Sequence, residues 1–355
     1  MKKIILLILF LASQIAIAQE QETDVCVQNI EIAQQRFDEG RIQDIQSLLL
    51  DCLERGGFNS AQKSQALRLL TLSYIFLEDV DKAEANMLSL LEEDHEFKVN
   101  PAIDPTEFIN LHEQFRYKPL FNLGGRYIFN FAQPIVTDLN SSLSQTVEVP
   151  VYTIQFGTLG IGLNFEYEFF KNLILYPEIH FKNMAILRTE HQKGSATGEE
   201  YITIENHEDQ QWVSMPISVK YNLVFPNIPK LKLYANLGGS IDFLLNAKKP
   251  SDKAVRTTPN DPEVGFNLTT TSDKNRLNFG LIAGGGVAFK IGEGFVSLEG
   301  RYLHSLTKVT KPENILQPSD PAQNNTGIQD DIYRLNHIAI SIGYTLNIYM
   351  PKQLR

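Results

Sequence analysis

Apolar and polar residues alternate along residues 159–181, which read LGIGLNFEYEFFKNLILYPEIHF. Apolar side chains occupy the odd positions from Leu159 to Phe169, and the alternation resumes after Lys171-Asn172. A period of two residues places successive side chains on opposite faces of an extended strand. The stretch therefore predicts two strands of about ten residues joined by a tight hairpin, a length that allows a tilted strand to cross a bilayer.

The same period recurs in six further segments between residues 120 and 350, which makes eight predicted strands. Short links alternate with long polar links along this region. An even strand number, with short turns at one end and long loops at the other, is typical of outer-membrane barrels. The predicted fold class is α+β with separate domains, in which N-terminal helical hairpins precede an eight-stranded antiparallel transmembrane β-barrel. A secreted β-sandwich with one solvent-facing side is the alternative.

The N-terminal third of the chain has a different pattern. Lys2-Lys3, a short apolar run and Ala16-Ile17-Ala18 have the layout of a secretory signal peptide. Apolar residues then recur with a helical period that predicts two helical hairpins. The predicted domains are a signal peptide over residues 1–18, a periplasmic helical domain over 19–118, an outer-membrane barrel over 119–350 and a C-terminal tail over 351–355.

The second helical hairpin, ALRLLTLSYIFLEDVDKAEANMLSLLEED, resembles a tetratricopeptide unit at Leu70, Tyr74, Ala83 and Met87. Because such hairpins present grooves to peptides and proteins, the resemblance implies a periplasmic or outer-membrane protein partner for residues 19–118. A packed plug or spacer is the alternative role for this segment.

Cys26 and Cys52 are the only cysteines in the chain. Folding the first hairpin about Gly40 places them roughly opposite each other, and a secreted protein matures in an oxidising compartment. We therefore predict a disulfide between them, with two buried free thiols as the alternative.

The segment WVSMPISVKYNLVF, residues 212–225, contains Pro216, Lys220 and Tyr221 in a Pro-x-x-x-Lys-Tyr arrangement. It resembles the corresponding strand of the PorT-like outer-membrane β-barrels of Bacteroidota. The resemblance implies a barrel over about residues 120 to 350, and family members include components of secretion systems. The expected role is therefore an accessory or structural subunit of an envelope or secretion assembly.

The polar face of the predicted strands carries acids and bases in similar numbers. An eight-stranded barrel encloses a space that side chains can fill, and unpaired charges in that space are costly. We therefore expect a buried ion-pair network that closes the lumen, with a proton or ion path as the alternative. The predicted lumen residues are Arg126, Glu166, Glu168, Glu178, His180, Lys182, Lys220, Lys232, Asp242, Arg276, Lys290, Glu299 and Arg301.

A net charge of −10 and the lack of a Lys/Arg-rich run argue against nucleic-acid binding. No motif indicates a catalytic residue, a cofactor or a metal site. The polar loops GEEYITIENHEDQ and SDKAVRTTPNDPEV are candidates for an extracellular ligand. We expect a non-catalytic protein in contact with outer-membrane lipid, with a small barrel enzyme acting on lipid or surface polymer as the alternative. The histidines considered for that chemistry are His180, His304 and His337.

Overall fold

The computed structural model of the chain forms two compact units. The helical unit comprises the described residues up to Leu120 together with those from Tyr349 onward, and the barrel unit is Phe121–Ile348. The predicted signal peptide lies outside the described residues. The structure describes residues 25–138, 150–155, 158–193, 201–225, 228–249, 254–258, 261–265, 268–312 and 331–354.

The helical unit contains helical hairpins where the sequence predicts them. None of the described helices is long and apolar enough to cross a membrane. The helices are α1 over residues 25–38, a 3-10 turn at Ile42–Asp44, α2 at Ile45–Glu54, α3 at Ser60–Phe76, α4 at Val80–Glu93 and α5 at Thr106–Glu113.

Local sequence signals set the ends of these helices. Asn59 and Gln62 form a capping box at the start of α3, and the Asp79 side chain accepts a hydrogen bond from the backbone of Lys82 at the start of α4. Gly40, with φ of 75°, reverses the chain after α1 in a conformation that favours glycine. These caps fix where each helix stops and its partner begins.

Apolar side chains from all five helices form one core, which includes Leu49, Leu70, Leu90 and Phe108. A disulfide joins Cys26 in α1 to Cys52 in α2, with a Cα–Cα distance of 5.7 Å. Burial lowers the pKa of the His112 imidazole, which keeps this ring neutral in its apolar surroundings at neutral pH.

The last residues of the chain complete the helical unit. The backbone N–H of Arg116 donates to the Lys352 carbonyl at 2.8 Å, and that of Leu354 donates to the Gln114 carbonyl at 2.6 Å. Tyr349 stacks on His95 with ring centroids 5.0 Å apart. Residues 352–354, within the predicted C-terminal tail over 351–355, therefore pair with the helical unit, which the sequence did not predict because backbone pairing between distant segments leaves no periodic trace.

The barrel unit is a single antiparallel sheet. Its strands are β1 at Phe121–Asp138, β2 at Val151–Ile154, β3 at Thr158–Phe170, β4 at Leu173–Lys193, β5 at Tyr201–Val224, β6 at Leu231–Lys249, β7 at Ala254–Thr258, β8 at Asp261–Gly265, β9 at Leu268–Thr269, β10 at Leu277–Ile291, β11 at Gly294–Ser305 and β12 at Ile332–Ile348.

Eight of these strands close into a ring. β12 pairs with β11 on one side and with β1 on the other, and β1 continues through β3, β4, β5, β6 and β10 back to β11. Closure leaves none of the eight with an unpaired edge along the ring, which is what a barrel wall in lipid requires. A helical region followed by an eight-stranded antiparallel barrel is confirmed.

The two ends of the barrel differ. At one end, which we call the turn end, the β3–β4 and β10–β11 turns are tight and use residues with positive φ, Asn172 at 66° and Gly292 at 61°. The chain also enters and leaves the barrel at this end, because Phe121 and Ile348 are register partners. The opposite end, the loop end, carries the long connections.

The strands at the loop end are longer than predicted. The segment GEEYITIENHEDQ was expected to be a loop, but Tyr201–Val224 is one strand that pairs with β4 as far as Lys193. In this part both faces are polar, with Glu205 and Asp209 outward and Asn206, Glu208 and Gln210 inward, so the period of two has no apolar contrast. The short strands β2, β7, β8 and β9 were also not predicted; β7 lies within the second predicted loop, SDKAVRTTPNDPEV, and β8 extends one residue beyond it.

Removal of the disulfide should destabilise the helical unit. The bridge links residues separated by 26 positions, so loop-closure entropy gives a loss of about 3.5 kcal/mol in the double variant Cys26→Ser/Cys52→Ser. The measurement is denaturant unfolding of the full chain in detergent, followed by helical circular dichroism. The control is the wild-type protein with reductant; an unchanged midpoint in both samples would contradict a stabilising bridge.

Candidate functional site

Two arginines and two glutamates lie at the centre of the barrel interior. Arg126 Nη1 lies 3.3 Å from Glu178 Oε1 and 3.4 Å from Glu299 Oε2. Arg301 forms ion pairs with both carboxylates. These four residues, which we call the charge cluster, come from β1, β4 and β11, and their side chains are almost fully buried. Their charges balance, which offsets much of the cost of removing them from water.

A buried tyrosine packs against the charge cluster. The guanidinium carbon atoms of Arg126 and Arg301 lie 5.3 and 5.4 Å from the centre of the Tyr176 ring, and Lys220 Nζ lies 4.8 Å from it. Arg126 also donates a hydrogen bond to the Tyr176 hydroxyl. The negative face of an aromatic ring attracts cations, so Tyr176 stabilises three positive charges in a small volume.

Further ion pairs flank the charge cluster. Lys220 Nζ lies 2.7 Å from Glu166 on the turn side, and Lys182 Nζ lies 2.9 Å from Asp242 on the loop side. His180 Nε2 lies 3.3 Å from Glu178 Oε1. Pairs of opposite charge therefore fill the interior from the level of Glu166 to the level of Asp242.

Inward-facing glycines make room for these long side chains. A Cβ atom on Gly162 would lie 2.4 Å from the His180 ring, and one on Gly284 would lie 2.7 Å from Arg301 Cγ. Both contacts are shorter than real Cβ atoms show. The glycine-rich strands thus provide the volume that the charge cluster occupies.

Four of the predicted lumen residues lie away from the buried pairs. Glu168 is exposed and accepts a hydrogen bond from the Asn172 backbone at 2.8 Å, and Arg276 is exposed just before β10 begins. Their prediction as lumen network residues is wrong, because the alternation continues beyond the part of the strand that the wall encloses. Lys232 and Lys290 are half-buried, and Lys232 Nζ lies 3.7 Å above the Phe295 ring.

An apolar cluster fills the interior at the loop end. We call this cluster the apolar cap; its members include Met184, Ile186, Trp212, Leu244 and Leu335. Sequence reasoning missed it, although β4 carries a partial signal: its even positions hold Glu178, His180 and Lys182, and directly beyond them Met184 and Ile186. Beyond this level the interior contains both apolar residues and buried polar residues.

A second polar layer lies close to the apolar cap. Arg188 pairs with Asp331 at 2.8 Å and with Glu190 at 2.6 Å, and the Tyr152 hydroxyl donates to Asp331 at 2.7 Å. Gln210 donates to the Tyr333 hydroxyl at 2.8 Å. Side chains therefore fill the described interior from the charge cluster to the loop end.

Small cavities remain within this packing. One has a volume of about 30 Å³ and is lined by Arg126, His180, Lys182 and His337 among others. A second, of about 20 Å³, lies against Lys182, Trp212 and His337. Spaces of this size hold one or two water molecules, not an organic substrate.

The candidate histidines lie in different places. His180 and His337 face the interior, whereas His304 is exposed on the outward face of β11. The hydroxyl of Ser305, the sequence neighbour of His304, donates to the Thr307 carbonyl at 3.0 Å. The structure therefore does not bring His304 and Ser305 together as a nucleophile and base. Among the described residues, no three His, Cys, Asp or Glu side chains are grouped to hold a metal ion.

The family described as "Outer membrane protein beta-barrel domain" matches residues 122–311, more than half of the chain. The chain belongs to this family, and membership implies an outer-membrane location. No curated protein matches the chain.

Solved structures with a similar fold include Neisserial surface protein A, at 11% identity over 64% of this chain and 97% of that one, with a TM-score of 0.34. OprG from Pseudomonas aeruginosa has 10% identity over 65% and 98%, with a TM-score of 0.34. The outer membrane enzyme PagL has 11% identity over 64% and 99%, with a TM-score of 0.27. Similarity at this level carries no information about activity.

Neutralising one acid of the charge cluster should destabilise the barrel. Glu178→Gln leaves Arg126 and Arg301 with one buried carboxylate between them, and breaking a buried pair costs about 3–5 kcal/mol. The measurement is the temperature at which the compact folded band on a gel converts to the unfolded band.

The matched control is Glu168→Gln, which makes the same chemical change at an exposed position near the turn end. Its transition should stay at the wild-type temperature, within the small effects of surface substitutions. Equal transitions in the two variants would contradict a stabilising role for the cluster.

Proposed function

We propose that the protein is a non-catalytic integral outer-membrane barrel whose helical unit binds a protein partner in the periplasm. The observation that carries the proposal is the division of the barrel wall: apolar side chains cover its outside, while paired charges fill its inside. An apolar outer surface suits contact with lipid. A lumen filled by side chains leaves no path for solutes, so the barrel suits the role of a membrane anchor for the helical unit.

The outward apolar band supports insertion into a bilayer. It contains large side chains that are each about half exposed, far more than a soluble surface of this size carries. They come from all eight strands of the ring; examples are Tyr127, Ile161, Ile179, Ile217, Leu237, Leu281, Leu298 and Ile340.

The limits of the band are visible on the strands. In β4 and β5 the last outward apolar pair is Phe181 and Val213, and the next outward pair is Asn183 and Gln211. Beyond that level the outward face turns polar and the apolar cap begins inside. Exposed aromatic residues at the turn end, including Tyr167, Phe169 and Tyr221, suit the opposite interface.

The turn end supports a periplasmic location for the helical unit. Short turns of outer-membrane barrels face the periplasm, and the chain enters and leaves this barrel at its turn end. Residues 19–118 would then lie in the periplasm. An accessory or structural role in an envelope or secretion assembly is consistent with this arrangement.

A patch of exposed apolar residues is the preferred partner-binding surface of the helical unit. Phe76 ends α3 and Val80 begins α4, so they flank one short turn, and they are 52% and 62% exposed. Isolated exposed apolar residues are common, but two at one hairpin tip suit the end of a peptide groove.

A charge in the middle of the band should destabilise the inserted barrel. Ile161→Arg, on the outward face of β3, should cost about 2–4 kcal/mol in membranes, because an arginine at the bilayer midplane is costly. Gln211→Arg places the same charge beyond the band and should have little effect. The measurement is the folded fraction after refolding into lipid vesicles; equal losses would contradict the proposed lipid contact.

Val80→Glu should weaken binding of the partner without unfolding the helical unit. An acidic residue in the first turn of α4 interacts favourably with the helix dipole, so the fold is retained. The measurement is the set of envelope proteins that co-purify with the full chain after crosslinking in cells.

The control for this experiment is Ile154→Glu, which changes an apolar residue of similar exposure in β2 at the loop end. Proteins captured by wild type and by this control, but lost with Val80→Glu, would be partners of the helical unit. An identical set in all three samples would contradict the proposed surface, and loss of a lipid modification in a deletion strain would favour an enzyme instead.

A further inference from the structure

An organised group of hydrogen-bond donors lies on the outward face of β11 and β12, just beyond the apolar band. We call it the donor cluster; it consists of Tyr302 and His304, which contact Asn336, and of Arg334, two residues before Asn336 in β12. We propose that the donor cluster binds the phosphate headgroup of an outer-leaflet lipid, an inference that rests on the proposed membrane insertion.

Asn336 organises two members of the cluster. Its side-chain oxygen accepts the Ser305 backbone N–H at 2.9 Å, which fixes the orientation of the amide. Its NH₂ group then donates to the Tyr302 hydroxyl at 2.8 Å and lies 3.3 Å from His304 Nδ1. Asn336 is 97% buried by this arrangement, since only 3% of its surface is exposed.

These hydrogen bonds set the direction of the remaining donors. Because the Tyr302 oxygen accepts from Asn336, its own O–H is directed elsewhere. Because His304 Nδ1 accepts from the same amide, the neutral ring carries its proton on Nε2. Both side chains are exposed, so each presents an N–H or O–H donor to the outside of the wall.

Arg334 supplies the positive charge. It lies two residues before Asn336 on the same face of β12, roughly 7 Å along the strand, a distance that an arginine side chain can span. Tyr333 and Leu335, its neighbours in sequence, point into the apolar cap, so Arg334 points outward. Arg334 as a whole is half-buried, and its Nε is enclosed with no hydrogen-bond partner among the described residues.

The described carboxylates do not pair with Arg334. Within the described part of the chain, no carboxylate lies within ion-pair distance of Arg334, and Asp138 at the end of β1 is paired with Lys308 at 3.1 Å. The planar donors of its guanidinium match the oxygens of a phosphate.

The position of the cluster selects a lipid as the source of this phosphate. The outward neighbours Ile338 and Leu306 are 45% and 47% exposed and belong to the edge of the apolar band. A lipid whose acyl chains lie against the band would therefore place its headgroup beside Arg334 and His304. A free phosphate ion would gain no contact with the apolar residues.

The test compares two lipids that differ only in the phosphate. The full-length protein in uncharged detergent is titrated with phosphatidic acid and, separately, with diacylglycerol of the same acyl chains. The readout is the temperature at which the compact folded band on a gel is lost, together with the number of lipids retained in native mass spectrometry. We expect phosphatidic acid, and not diacylglycerol, to raise this temperature and to be retained.

Arg334→Gln should require roughly tenfold more phosphatidic acid for the same shift, because one charge-assisted contact is lost. Tyr302→Phe removes one hydroxyl donor and should require about fivefold more. Lys171→Gln removes a positive charge at the turn end and should titrate like wild type.

Equal responses of Arg334→Gln and wild type would overturn the lipid site, as would an identical shift with inorganic phosphate alone. A wild-type protein without a compact folded band would instead contradict the membrane barrel itself. A compact band that responds to neither lipid would contradict only the donor cluster.

Discussion

The closure of the sheet at eight strands is the constraint on which the rest of the structure depends. Pairing β12 with β1 satisfies the backbone of every strand of the ring, so the outside of the wall can be apolar. The same closure makes the interior too narrow for a water-filled channel. Every inward charge must therefore find its partner in another side chain, and the charge cluster around Tyr176 is the result.

The polarity of the two faces of the barrel wall changes along its length. From the turn end to the level of Lys182 the wall is apolar outside and charged inside. Beyond that level the outward face of β5 is polar, and the interior holds the apolar cap together with the buried polar layer around Arg188. The change occurs within continuous strands, between residue pairs such as Phe181–Val213 and Asn183–Gln211. The same strands thus suit lipid below the level of Lys182 and water above it. The donor cluster lies close to the boundary between these two parts of the wall.

The regular part of this fold could be predicted from the sequence, and the irregular part could not. Alternation located the eight strands of the ring, and inward charges such as Arg126, Glu178 and Arg301 meet because closure leaves them one shared space. Alternation did not show where each strand stops facing the barrel interior, so Glu168 and Arg276 were wrongly assigned to the lumen. The donor cluster depends on the orientation of one amide, that of Asn336, which no residue pattern specifies.

The pairing of residues 114–116 with residues 352–354 has a consequence for the chain as a whole. It joins two segments that flank the entire barrel sequence, so the polypeptide behaves as a ring closed by hydrogen bonds instead of a covalent bond. The seam strands β1 and β12 are the first and last parts of the barrel within that ring. Because the paired segments hold the two ends of the barrel sequence near each other along the chain, they lower the entropy cost of bringing β1 and β12 together.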